Sequence, residues 1–70
     1  MEVKAYEKYR HYKGGENVIV AIAKHSESGE KMVVYKALYG NEQVWVRPYE
    51  MFTQKVARKN QEYRFVKVVN

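Results

Sequence analysis

The sequence contains no cysteine, a single proline and a single tryptophan in 70 residues. Without cysteine there is no disulfide staple, no thiolate zinc site and no thiol nucleophile. The loss matters in so short a chain, because small folds bury little apolar surface and lean on disulfides, metals or partners. It also accords with a reducing compartment. Long hydrophobic runs are missing too. The longest, residues 18–23, falls far short of the roughly 20 residues of a bilayer-spanning helix. Residues 1–13 carry charges throughout and no apolar h-region, so no secretory leader is expected. Glu2 stands where myristoylation needs glycine, and the final Val68, Val69 and Asn70 form no lipidation signal. The expectation is one small cytoplasmic domain over residues 1–70, with no membrane partner.

Acidic residues are the minority charge. Lys plus Arg number 13 against 8 Asp plus Glu, a net charge of +5. Residues 1–13 carry a net +2, residues 14–54 a net −1 and residues 55–70 a net +4. The last segment holds Lys55, Arg58, Lys59, Arg64 and Lys67 against Glu62 alone. If the two ends of the chain pack side by side, they form a basic region that attracts phosphate or another acidic partner. The plainer alternative is a solvated surface that keeps a small protein soluble.

What is present is a series of short runs of β-branched and aromatic residues, separated by turn signals. That pattern predicts a small all-β fold. Strands are expected at residues 5–13, 17–25, 31–39 and 43–47, with weaker ones at 54–58 and 63–69. Gly14-Gly15, residues 26–30, Gly40-Asn41 and residues 59–61 are the turns. Pro48 stops the fourth strand, since proline cannot donate to a ladder, and residues 49–53 are expected to form one helical turn.

Gly40-Asn41 reads as a two-residue hairpin loop. It pairs Tyr39 with Glu42, Ala37 with Val44, Lys36 with Trp45 and Tyr35 with Val46. One face then carries Val33, Tyr35, Ala37, Val44 and Val46 as core. The other carries Val34, Lys36, Leu38, Gln43, Trp45 and Arg47. An even loop after His25 adds Val18, Val20 and Ile22 to the core, and an odd one flips that strand. The even loop is preferred because it gathers the larger side chains. On this register Trp45, Lys36 and Arg47 face outward, with Lys36 opposite Trp45 for a cation–π contact of about 0.5–1 kcal/mol. Such a platform stacks a base or holds an extended peptide. In the competing reading Trp45 is covered by the N-terminal arm, under Tyr9 or Tyr12.

The run from Tyr9 through Arg10, His11 and Tyr12 to Lys13 interleaves aromatics and cations, as single-stranded nucleic-acid grooves do. The expected ligand surface is therefore Trp45, Lys36, Arg47, Tyr9, Arg10 and Tyr12, with charge added by Lys55, Arg58 and Lys59. Arg47 is expected to pair with Glu50 or Glu42. Met51 and Phe52 are expected to cap the end of the barrel as core.

Signals for catalysis are thin. His11 and His25 are the only histidines. If Gly14-Gly15 closes a hairpin, His11 pairs with Val18 and His25 lies seven residues further on, roughly 23 Å away. That layout forms no shared metal site or acid–base pair. His25, Ser26 and Glu27 are triad-type residues, but sequence neighbours in a strand point to opposite faces. Ser26 and Glu27 are better read as holding the turn. Gly14-Gly15 lacks the spacing and the Lys-Ser/Thr pair of a P-loop, and instead permits a turn with positive φ. No catalytic residue, metal or cofactor is assigned. The favoured reading is a monomeric, non-catalytic binding module for nucleic acid or an acidic protein or peptide. The alternative is a small-molecule or enzymatic site around His11, His25, Glu27 and Tyr35.

Several motifs occur in a telling order. They are Tyr9-Arg10-His11-Tyr12-Lys13-Gly14-Gly15, His25-Ser26-Glu27-Ser28-Gly29-Glu30, Val34-Tyr35, Leu38-Tyr39-Gly40, Trp45-Val46-Arg47-Pro48 and Met51-Phe52. Over residues 9–66 the chain resembles a family of short bacterial proteins, the domain-of-unknown-function family numbered 1653. Ser28 stands where that family usually has threonine, and Asn17 near where it often has an aromatic. The tail after Val56 matches weakly. The departure at Asn17 leaves open how the chain enters the second strand. The resemblance implies a small, strongly bent, SH3-like β-barrel or roll and no activity. Barrels of this kind bind peptides, nucleic acids and other partners.

Overall fold

Runs rich in Val, Ile and Tyr form five strands in the computed structural model, which describes residues 2–56 and 62–68. They are β1 (Lys8–His11), β2 (Glu16–Lys24), β3 (Lys31–Ala37), β4 (Val44–Pro48) and β5 (Phe65–Lys67). One short helix, α1 (Tyr49–Phe52), follows β4. β2, β3 and β4 make an antiparallel meander, β1 folds back on the free edge of β2, and β5 returns beside β1. The sheet order is β4-β3-β2-β1-β5. It rolls until side chains of its two edge strands meet: the Arg47 guanidinium lies 5.7 Å from the ring centre of Phe65. The fold is all-β and SH3-like, as expected.

The first strand is shorter than residues 5–13. Tyr6 adopts φ of +72° and bends the chain. The preceding segment is pinned instead by Tyr6 N–H to Ile19 O at 2.8 Å and Val3 N–H to the Tyr49 hydroxyl at 2.9 Å. Of the weak strand at 54–58, only an isolated bridge from Lys55 to Tyr63 forms among the described residues. Residues 57–61, with Arg58, Lys59 and the turn at 59–61, lie outside the described residues.

The core is aromatic. Phe52 and Phe65 stack at 4.0 Å between ring centres, and Tyr9 meets Phe52 edge-on at 5.4 Å. Tyr35 touches both phenylalanines, at 5.4 and 5.5 Å. Val3, Ile19 and Val33 complete the cluster. Large rings suit so small a fold, since each buries roughly 150–250 Å² and gains from edge-to-face packing. α1 delivers Phe52 to this cluster. Pro48 opens the helix, and the Thr53 hydroxyl closes it by donating to Tyr49 O at 3.0 Å. A single helical turn presents only one of two adjacent side chains inward, so Phe52 is core and Met51 is exposed, contrary to the expectation for Met51.

Two single-residue irregularities correct the expected register. Glu42 adopts φ of +54° directly after the Gly40-Asn41 turn and adds a residue to the β4 side. Tyr35 therefore pairs with Trp45, Lys36 with Val44 and Val34 with Val46, one step from the two-residue-loop register. A one-residue slip moves every side chain of a strand to the opposite face. Val44 and Val46 are 57% and 59% exposed on the outer face, not core. Trp45 and Arg47 turn to the inner face. The second irregularity is a bulge between Ile19 and Ala21. The connection over residues 25–30 is even, and Ile22 pairs with Val33 as expected. Beyond the bulge the parity reverses, so Ile19 and Asn17 face inward while Val18 and Val20 do not.

Candidate binding cleft

A cleft of about 490 Å³ opens where β3 and β4 approach the β1–β2 turn and β5. Its size falls within the range of about 300–1,000 Å³ typical of small-ligand sites. The deep residues are buried: Asn17, Tyr35 and Phe65. The outer ones are Trp45 and Tyr39, 54% and 53% exposed. His11, Lys13, Gly14 and Arg47 complete the lining.

Each departure from ideal β geometry contributes to this site. The extra residue at Glu42 brings Trp45 opposite Tyr35 and Arg47 opposite Val33. The bulge turns Asn17 inward, where it pairs with Tyr9 on one side and Ala37 on the other. Gly15, at φ of +89°, lets the Tyr39 ring dock against the backbone. A Cβ on Gly15 would lie 2.6 Å from Tyr39 Cε1, closer than any real contact. Gly14 and Gly15 both have positive φ, as the sequence requires of that turn.

The lining holds cations and no carboxylate. Arg47 Nε donates to the Tyr35 hydroxyl at 3.4 Å. Neither Lys13 nor Arg47 forms an ion pair among the described residues. The ion pairs among the described residues lie elsewhere, in Lys36–Glu42 at 3.4 Å, Lys55–Glu62 at 4.0 Å and Lys67–Glu7 at 2.8 Å. Concave walls of one charge sign concentrate ions of the other. His11 accepts a hydrogen bond at Nδ1 from Lys13 N–H at 3.1 Å, so its neutral ring carries the proton on Nε2. Burial first, and then the positive charges of Arg47, Arg64 and Lys13, lower its pKa below the usual histidine value. Asn17 is 2% exposed and its side-chain amide makes no hydrogen bond among the described residues, but the amide faces the cleft and is not sealed without a partner.

The expected site residues separate. Trp45 and Arg47 line the cleft, on its inner wall and not on an outward platform. Lys36 does not lie opposite Trp45, because the shifted register leaves it on the other face, paired with Glu42. Arg47 pairs with neither Glu42 nor Glu50. Tyr9 is fully buried, because β1 alternates Lys8 and Arg10 outward with Tyr9 and His11 inward. Burial and the neighbouring Glu7 carboxylate raise the Tyr9 phenol to about 12. Arg10 is exposed on the outer side, and Tyr12 packs against His11 with 4.5 Å between ring centres. Lys55 stands over Tyr63, away from the cleft lining.

The four-residue polar site does not assemble. His11 lies opposite Gly15, donating its N–H to Gly15 O at 3.0 Å, and not opposite Val18. His25 lies beyond the other end of β2, roughly 30 Å along the strand. There its Nδ1 accepts from Glu27 and Ser28 N–H at 3.1 and 3.4 Å, so it holds the turn. Of the four, only His11 and Tyr35 share the cleft. Asn17, Tyr39, Lys13 and Phe65 were not anticipated there. The doubled glycine was the one available signal, because it marks a close backbone approach as well as a turn. Among the described residues no group of three or more His, Cys, Asp or Glu is placed to hold a metal ion. Nor is any helix there long and apolar enough to cross a membrane.

Fold and cleft define a small SH3-like β-roll with an aromatic, cation-bearing groove. The chain belongs to the family described as protein of unknown function (DUF1653), which it matches over residues 7–67. It is similar to a DUF1653 protein from Bordetella bronchiseptica whose crystal structure superposes with a TM-score of 0.82. The two are 27% identical, over 96% of this chain and 87% of that one. No curated protein matches the chain.

Proposed function

We propose that the protein is a non-catalytic cytoplasmic module that binds single-stranded nucleic acid in this cleft. The observation that carries the reading is the lining itself: aromatic rings, two cations without carboxylate partners among the described residues, and no acidic side chain. Rings stack on bases, and cations neutralise phosphates. The net charge of +5 supports a polyanionic ligand. The cleft holds no carboxylate to act with His11 as an acid–base pair, which favours binding over catalysis.

Trp45 is the only tryptophan and lines the cleft, so its fluorescence reports occupancy directly. Titration with a short single strand should change that signal at low salt. Two phosphate contacts, from Lys13 and Arg47, predict an affinity loss of about sevenfold between 50 and 200 mM salt. Trp45→Ala should weaken binding without unfolding the protein, because the ring is half exposed. No signal at low salt would refute the reading. Equal affinity for an acidic peptide lacking bases would replace nucleic acid with an acidic protein partner.

A further inference from the structure

We infer that Asn17 reads one nucleobase edge-on at the bottom of the cleft and gives the module a preference for adenine. The inference rests on the nucleic-acid reading above and deepens it. Asn17 is 2% exposed, lines the cleft and makes no side-chain hydrogen bond among the described residues. Its polar atoms are not sealed from the cleft. The backbone turns it inward by means of a bulge. A ligand in the cleft can therefore reach the amide and pair with it.

The chemistry of those partners follows from the amide. It offers one acceptor and two donors on adjacent atoms. Adenine presents the complement at its amino group and N7, whereas the same edge of guanine presents two acceptors. A base inserted edge-first places its faces along the walls, where Trp45 and Tyr39 offer rings for stacking. Its sugar and phosphate then lie at the mouth, with Lys13 and Arg47 among the lining residues to receive them. A cleft of about 490 Å³ admits a purine nucleotide, while a pyrimidine leaves part of it unfilled.

The test compares oligo-dA, oligo-dC and oligo-dT of equal length by Trp45 fluorescence, with the whole chain and with Asn17→Leu. Oligo-dA should bind about tenfold tighter than the others, because a purine fills the cleft and stacks more fully while its edge pairs with the amide. Asn17→Leu should lower the affinity for oligo-dA about tenfold, to the level of the other oligomers. In the wild type, the Asn17 side-chain amide resonances should shift with oligo-dA and not with oligo-dT, a readout that needs no variant. Adenosine monophosphate binding as tightly as oligo-dA would support base reading by Asn17 and assign it to free nucleotides instead of a strand. Equal affinities for all three oligomers, or an unchanged preference in Asn17→Leu, would overturn the inference and leave the nucleic-acid reading standing. Failure of every oligomer to bind would remove both.

Discussion

Replacing Asn17 with leucine should make the protein more stable. The side chain sits on the inner face of β2 between Tyr9 and Ala37, only 2% exposed. Its amide opens on the cleft, so no penalty for a sealed, unpaired polar group is counted. Leucine is similar in shape and gains about 1.5–3 kcal/mol when fully buried. Because the side chain borders an open cleft, the low end of that range applies. The expected gain is about 1.5 kcal/mol, or roughly 6–12 °C in Tm for a chain of this size. Urea denaturation followed by Trp45 fluorescence, with thermal circular dichroism alongside, measures it. The slope against urea should stay unchanged, since the surface exposed on unfolding hardly differs. A variant less stable than wild type would show that the amide supports the fold, and would sink the argument that it is kept for a ligand. Stability gained together with base preference lost is the opposition expected where a residue serves binding at the expense of folding.

Three further outcomes follow from the same geometry. Gly15→Ala combines a backbone at φ of +89° with a clash against Tyr39. It should cost about 1–3 kcal/mol by denaturation and move the Tyr39 ring resonances. Gly14→Ala meets nothing within 4 Å and should leave Tyr39 in place. The pKa of Glu7 is held below the ordinary carboxyl value mainly by the hydrogen bond from Lys67 and then by Lys4 N–H. Its stabilisation is therefore complete above the unfolded carboxyl pKa and is lost as pH falls through the folded value. Glu7→Gln should be less stable than wild type at pH 7, with the gap closing in acid; a gap independent of pH would contradict this. The pKa of His11 lies below the usual 6.5, so its neutral form stabilises the fold above that pH and protonation erodes stability as pH falls below it. An NMR titration should place its midpoint under 6.5 and move it upward when a phosphate-bearing strand binds. A midpoint at or above 6.5 in the free protein would argue against the cation-lined cleft.

Much of the architecture was legible in the chain. β-Branched and aromatic runs located the strands, and Pro48 marked the passage from β4 to α1. Glycine pairs and polar clusters located the turns. Alternation along β3 correctly placed Val33, Tyr35 and Ala37 inside. Trp45 and Arg47 were picked out for a ligand surface, and both line the cleft, although the register argument that selected them was off by one residue. Lys36 was picked on the same argument, and Tyr9 on the interleaved aromatics and cations of residues 9–13; both fall elsewhere. For Tyr9 the alternation of β1 was the available signal, and the interleaved aromatics and cations obscured it.

The sequence by itself determined which stretches extend, where they turn and how much positive charge the surface carries, because these depend on local backbone preference and composition. Only the tertiary structure decided which side chains face one another. Side-chain direction in a strand has a period of two, so a single left-handed residue at Glu42 and a single bulged residue at Val20 each reverse a whole face. Neither event has a strong local signature. The contacts that each reversal sets up lie far apart in the chain, such as Trp45 opposite Tyr35 and Asn17 between Tyr9 and Ala37.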